Sequence, residues 1–365
     1  MKISKVDIFP LRVPLKRSFR NAHVVRSHQD SIVLRVQTDE GLDGLGNVDP
    51  DPGYSEEGFS DTLAAIRKLA DHLIGLDPFN IVAVLERMDK VIPANLDAKA
   101  AIEMALFDLK GKALGVPVCS LLGGKVREEI YLNAWIGMLP PDEAAREADD
   151  WLQKGFRSAK IKIGSGVEQD LDRVKAVREA VGKKMALRVD ANEAYTVDEA
   201  IRLAKALSPF DLFLFEQPVP RGDLDGMARV RKAVDIPVMA DEAILGPETL
   251  VQVIKKEAAD IVKVKVMKQG GLYRTVHMVQ MAESAGITCV IGHGFGLTIN
   301  TLAEIHVAAS CNNILDGCEF VGPLKMQKDV VKNPLHMEGG KVRVPDDSGL
   351  GCRLDEEKLE ECILV

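Results

Sequence analysis

The runs LRVDAN (187–192), LFLFEQP (212–218) and VMADEA (238–243) are three short apolar stretches, each reaching an acidic residue near its end. Those residues are Asp190, Glu216 and Asp241, spaced 26 and 25 residues apart. A strand, a helix and a return loop consume about that much chain in a parallel β/α array. No single turn gathers groups so distant in sequence, whereas a closed ring of parallel strands collects them at one rim. Carboxylates are hard oxygen donors, so the trio predicts a site for Mg²⁺, with Mn²⁺ as the alternative.

The same period extends in both directions. Upstream, AKIKIG (159–164) carries Lys160 and Lys162; downstream, VKVKVMK (262–268) carries Lys265. With IYLNAWIG (130–137), TCVIGH (288–293) and NILDGCEF (313–320) these runs make eight expected strands, enough to close a barrel. Helical patterns lie between them, such as QDLDRVKAVREAVG, VDEAIRLAKALS and LYRTVHMVQMAESAG. The expected class is therefore α/β, with a (β/α)8 barrel over residues 125–322.

Residues 1–124 have a different texture. Alternating runs through KISKVDIFPLRVPL and DSIVLRVQTDEGLDGLGNV predict an antiparallel meander. Three amphipathic helices follow, in FSDTLAAIRKLADHLIG, FNIVAVLERMDKVI and LDAKAAIEMALFDLKGKALG. This is a small α+β unit. Residues 323–365 return to short-strand texture and are expected to fold back onto it.

Composition narrows the function classes. The net charge of −8 is spread along the chain, with no basic block interleaved with aromatics, so nucleic acid is not an expected partner. No run approaches the length of a membrane span, and the start reads as a strand rather than a secretory leader. The six cysteines show no CxxC spacing and read as reduced packing residues, which suits a cytoplasmic enzyme.

In a barrel of this kind the C-terminal strand ends carry the chemistry. Here they read, in order, Lys160 and Lys162, Asp190, Glu216, Asp241, Lys265, His293 and Glu319. Opposite charges around a divalent cation suit one task. The cation neutralises a substrate carboxylate while a lysine removes the proton from the adjacent carbon, giving an enolate. A lysine base must be neutral, and its ordinary pKa of about 10.4 is too high. Lys160 and Lys162 point to the same face of their strand, so their repulsion lowers one of them. We assign Lys162 as the base, Lys160 as the charge beside it and Lys265 as the second acid/base. Asn192 and Glu242 are expected to support the metal ligands.

The motifs SAKIKIG, VDAN, FEQP, ADE and KVKVMKQGG, in this order and spacing, resemble the mandelate racemase and muconate lactonizing enzyme family of the enolase superfamily. AAIEMALFDLKGKALGVPVCSLLGG is similar to the helix and turn that join the family's capping domain to its barrel. The resemblance implies a modified TIM barrel under an α+β capping domain and Mg²⁺ held at Asp190, Glu216 and Asp241. It implies Lys162 and Lys265 as acid/bases, the pattern of the muconate lactonizing subgroup. It also implies a homo-oligomer, a dimer or an octamer. His293 falls where the other subgroup keeps a histidine, but lacks that subgroup's Asp on the preceding strand. It is either a proton donor or substrate ligand, or a hydrogen-bonding rim residue. Glu319 matches a glutamate that assists the enolate or the substrate carboxylate in several members. A dipeptide epimerase would have an aspartate at Val321, which counts against a dipeptide here.

The resemblance further implies that two capping loops, here 18–30 and 47–57, close over the mouth and meet a small carboxylate substrate. Arg20, His23 and Tyr54 are their candidate contacts. The leading expectation is Mg²⁺-dependent racemisation, epimerisation or cycloisomerisation through an enolate. Dehydration of a hydroxy acid is the alternative; a Schiff-base lyase and a catalytically silent binding protein are further ones.

Overall fold

The computed structural model describes residues 1–20, 25–51 and 57–364, the side chains of 19 and 20 excepted. Strand β1 (Ile3–Arg20) pairs antiparallel with β2 (Val25–Thr38), which pairs in turn with β3 (Asp43–Val48). The expected meander is therefore present. Most of the loop assigned to 18–30 is β1 and β2, while Asn47 and Val48, the end of the expected meander, belong to β3. Asn47 is buried in that sheet, where its Nδ2 donates to Ser31 Oγ at 2.8 Å. Cross-strand pairing extends into the stretch where the resemblance placed a loop.

Three helices follow, α1 (Phe59–Asp71), α2 (Ile81–Val91) and α3 (Leu96–Leu114). Helix α3 is buried on nearly every side, because the capping sheet covers one face and barrel elements the other. Its close approach to β3 depends on two glycines. A Cβ at Gly44 would sit 2.0 Å from Ala105 O, and one at Gly46 would sit 1.9 Å from Ala101 O. Gly46→Ala is expected to destabilise the fold by about 3 kcal/mol, since backbone rather than a movable side chain must give way. Urea unfolding of the variant measures it. The other face of α3 sends Glu103 to the barrel, where it accepts from Leu272 N at 2.7 Å and Tyr273 N at 2.8 Å. A carboxylate there satisfies the first amides of the helix Leu272–Ser284 and joins cap to barrel.

Strand β4 (Glu129–Tyr131) opens the second part of the chain. The barrel strands are β5 (Ala134–Ile136), β6 (Ser158–Lys162), β7 (Ala186–Asp190), β8 (Leu212–Glu216), β9 (Val238–Ala240), β10 (Ile261–Val264) and β11 (Thr288–Ile291). They form one parallel sheet in chain order. The expected eighth strand is not regular. Instead, Leu315 N donates to Cys289 O at 2.8 Å on one edge, and Asn133 N to Cys318 O at 2.8 Å on the other. Gly317, with φ of 82°, bends the segment between these isolated bridges and breaks its ladder. The expected first strand, 130–137, is likewise split. Its start, β4, pairs with β13 (Lys341–Arg343), which pairs with β12 (Met337–Glu338).

The C-terminal stretch returns to β1, with Gln327 N on Pro14 O and Leu364 N on Pro10 O, both at 2.9 Å. All six cysteines are buried thiols, as their spacing suggested. Among the described residues no helix is long and apolar enough to cross a membrane.

Candidate active site

Strand register sets the geometry. Lys162 stands opposite Asp190, and Asp190 opposite Glu216, while Asp241 follows β9 and Lys265 follows β10 directly. Gln217, just past Glu216, accepts from Asp241 N at 3.0 Å and Ala243 N at 3.2 Å, which pins the third carboxylate beside the second. Gln269 does the same for Lys265, accepting its amide at 2.5 Å.

The charges interlock. Lys162 Nζ donates to Asp190 Oδ2 at 2.5 Å and Asn192 Oδ1 at 2.6 Å, and Lys265 Nζ to Asp241 Oδ1 at 2.6 Å. Lys160 Nζ lies 2.5 Å from Glu319, 3.0 Å from Asp190 and 3.2 Å from Glu216. Asn192 Nδ2 donates to Glu242 Oε1 at 2.8 Å, and its own amide to Asp190 Oδ1 at 3.0 Å. Every one of these side chains is buried. Charges withdrawn from water in this way persist only when paired.

Two further lysines, Lys263 and Lys268, are fully inside. Lys263 bridges Glu216 Oε1 at 2.9 Å and Glu319 Oε2 at 2.5 Å, and Lys268 donates to Asp241 Oδ1 at 2.8 Å. The alternation of β10 contained the signal, since Lys263 shares the inward face with Lys265. Its carboxylate partners come from strands distant in sequence. Lys263→Met is expected to cost about 3–5 kcal/mol, because Glu216 and Glu319 lose a shared buried partner. Thermal and urea unfolding check it.

Protonation follows from this packing. Burial pushes Lys265 down to about 8; Asp241 opposes that shift, and Lys268 and Lys263 add to it. Burial also works against the Lys160 ammonium, but Glu216, Glu319 and Asp190 outweigh it and hold that group well above its ordinary value. Lys160 is therefore a firmly held cation, bound by three carboxylates as well as standing beside Lys162. Burial and the neighbouring Asp190 push Glu216 up to about 8. Burial raises Asp190 too, but Lys162, Lys160 and Lys263 prevail and hold it below the usual carboxylate range.

The donor set fits a hard divalent cation: three fully buried carboxylates from adjacent strands, of which Glu216 is raised by burial and then by the charge of Asp190. Ammonium groups lie between them here, and among the described residues no three acidic, histidine or cysteine side chains form a ready cation cluster.

A narrow pocket opens above this charge array. Lys160, Lys162, Lys263, Lys265 and Glu319 line its base, and Trp135, Phe295, Val321 and Lys325 its walls. A separate cleft of about 600 Å³, between the capping sheet and the C-terminal segment, contains none of these groups. Glu319 also faces Arg188 at 3.4 Å. His293 is buried 3.5 Å from Asp49, a partner that comes from the cap rather than the preceding strand, and it does not line the pocket. Arg20 ends β1, its backbone paired with Val25. His23 and Tyr54 lie outside the described residues.

Two family models together match nearly the whole chain. Residues 3–123 match the mandelate racemase / muconate lactonizing enzyme N-terminal domain, and residues 143–358 the enolase C-terminal domain-like model. The chain belongs to this family. It is similar to the N-succinyl-L-Arg/Lys racemase of Bacillus cereus, 36% identical over 99% of this chain and 98% of that one. The crystal structure of that racemase superposes with a TM-score of 0.97, covering 100% of this chain and 99% of the other. A dipeptide epimerase of Enterococcus faecalis, complexed with Mg and the dipeptide L-Leu-L-Tyr, superposes with a TM-score of 0.93 at 34% identity, covering 96% and 99% of the two chains. Muconate cycloisomerase 1 of Pseudomonas putida is 33% identical over 97% of this chain and 94% of its own. The family member described here is an enzyme of the isomerase class, built on the superfamily's barrel and cap.

Proposed function

We propose that this enzyme racemises or epimerises the α-carbon of an N-acylated amino acid, with Lys162 and Lys265 as its two acid/bases. One observation carries the reading. The two amines stand at opposite ends of a row of three buried carboxylates, Lys162 on Asp190 and Lys265 on Asp241. Inversion at carbon needs a base on one face and an acid on the other, and groups so placed supply both.

Asp190, Glu216 and Asp241 would hold Mg²⁺, which when bound supplies positive charge against the negative charge growing on the substrate carboxylate. The protein's own groups do the rest. A neutral Lys265 amine is accessible near pH 8, because burial lowers that group. It takes the α-proton of one enantiomer, and the Lys162 ammonium returns a proton to the opposite face; the roles exchange for the other enantiomer. Lys160 and Lys263 keep their protons and stabilise the enolate electrostatically. Asn192, bonded to Lys162 and Glu242, orients the first amine.

The pocket favours an acylated nitrogen over a free ammonium group. Val321 in its wall offers no countercharge, and the surrounding lysines repel a cation. The racemase and the epimerase among the relatives support the reaction class. His293 does not line the pocket, so elimination of water would fall to one of the lysines that do.

A panel of N-acyl amino acids, free dipeptides, hydroxy acids and cis,cis-muconate, incubated with enzyme and Mg²⁺ in D₂O, tests the proposal. Deuterium should enter the α-position of an N-acyl amino acid with inversion. Turnover of muconate alone, or loss of water from a hydroxy acid without inversion, would overturn it.

A further inference from the structure

Glu304 has no part in the proton transfer, yet it sits where two barrel strands end. It lies on the helix Thr298–Ser310, in which every residue but the last is buried, and its own side chain is wholly withdrawn from water. A carboxyl group is costly to bury in such surroundings, so its partners are informative. They are backbone amides. His293 N donates to Glu304 Oε2 at 3.2 Å, and the Val266 amide is a second donor to the same carboxyl. Val266 follows Lys265 directly, and His293 follows Gly292. The parallel ladder of β10 and β11 ends just before them, with Val264 opposite Ile291 and Gly292 N on Val264 O at 3.1 Å. Where the ladder stops, Glu304 takes over as acceptor for two amides that have left the sheet.

The Lys265 backbone is thereby held on both sides. Its amide donates to Gln269 Oε1 at 2.5 Å and its carbonyl accepts from Gln269 N at 3.1 Å, while the next amide along belongs to Glu304. A lysine amine rides on a flexible four-carbon stem, so its place is set by the backbone at the root and a partner at the tip. The tip partner, Asp241 Oδ1, is shared with Lys268 at 2.8 Å. The root is the more exclusive hold. The protonation of Glu304 suits an anchor as well. Burial pushes the group up to about 8, against the pull of the two amides and of Lys265 and Lys263. Near pH 7 it is mostly the neutral acid and holds the amides through its oxygen rather than its charge. A neutral acid also adds no negative charge beside Lys265, which would strengthen that amine's hold on its proton.

We propose that Glu304 is a positioning residue for Lys265: by holding the amides that follow β10 and β11, it fixes the backbone from which the second amine reaches the substrate. The inference rests on the two-lysine reading above. It confines the influence of Glu304 to one face of the substrate carbon. Lys162 stands at the other end of the carboxylate row and is held by Asp190 and Asn192 instead. A side chain that served stability alone would affect both faces alike.

Three substitutions test this through α-proton exchange of each enantiomer of an N-acyl amino acid in D₂O. Glu304→Asp keeps the carboxyl on an arm too short for both amides, Glu304→Met removes the acceptor, and Glu304→Gln keeps both reach and oxygen. In the Asp and Met variants, exchange of the enantiomer that depends on Lys265 should fall about 10²-fold, the scale of a misplaced reacting group. Exchange of the other enantiomer, and KM for both, should stay within about threefold of wild type. In Glu304→Gln both enantiomers should exchange within about fivefold of wild type, because an amide oxygen accepts the same bonds. Circular dichroism melts verify folding; the Asp and Gln variants keep the comparison if the methionine variant does not fold. Equal losses for the two enantiomers, or a Gln variant that fails to exchange either, would overturn the proposal. Crystal structures of the variants supply a readout that needs no substrate. Lys265 Nζ should leave Asp241 in Glu304→Asp and keep its 2.6 Å contact in Glu304→Gln. An unmoved Lys265 in Glu304→Asp would also overturn the assignment. Wild-type enzyme that exchanges neither enantiomer of any N-acyl amino acid would instead overturn the proposed reaction, with Glu304 then judged by the crystal structures.

Discussion

Replacing either Lys162 or Lys265 with Ala is expected to lower racemisation of an N-acyl amino acid by at least about 10³-fold in both directions. General acid–base catalysis contributes about 10²–10⁴-fold per group, and inversion requires both groups in every turnover. Loss of one therefore stops the reaction from either enantiomer. Chiral chromatography of reaction time courses measures the effect. The fold should survive, because each amine leaves a carboxylate that keeps another cation: Asp190 retains Lys160, and Asp241 retains Lys268. Unchanged far-UV circular dichroism would confirm that the loss is chemical. A variant that kept more than about a tenth of wild-type turnover would remove its lysine from the acid/base pair.

The second large effect concerns the carboxylates. Glu216→Gln removes one negative donor while keeping its shape, and about 10³-fold or more of the activity should disappear with it, the scale of electrostatic stabilisation at a developing oxyanion. Mg²⁺ affinity, read by calorimetry, should weaken in parallel. EDTA should abolish wild-type activity, and added Mg²⁺ should restore it. Stability should change little, because Lys160 and Lys263, the cations beside Glu216, both keep Glu319. Full activity of the variant, or of wild type in excess EDTA, would separate these residues from the chemistry.

Much of this was legible in the chain. Asp190, Glu216 and Asp241 could be read because strand periodicity and spacing are local properties, and the parallel register then aligned Lys162, Asp190 and Glu216 side by side. The closing segment was harder. Gly317 has a positive φ between two edge contacts, so a run that looks like a strand forms only isolated bridges. The roles of Lys263 and Lys268 depend on Glu216, Glu319 and Asp241, partners from other strands, and alternation alone does not reveal who neutralises a buried charge. The contact of His293 with Asp49 joins residues far apart in the chain, one in the cap and one in the barrel, and no local pattern predicts it. The extended β1 and β2 absorbed most of a polar stretch that the family resemblance assigned to a loop, because hairpin pairing satisfies the backbone whatever the outward side chains are.

The central claim is that two lysines flank one carbon from opposite faces. It is tested most directly by ¹H NMR of α-proton exchange in D₂O, using each enantiomer of one N-acyl amino acid substrate with Lys162→Ala and with Lys265→Ala. The account predicts that each variant still exchanges the α-proton of a single enantiomer, and that the two variants choose opposite ones. Exchange of the same enantiomer by both variants, or of both enantiomers by either, would contradict it.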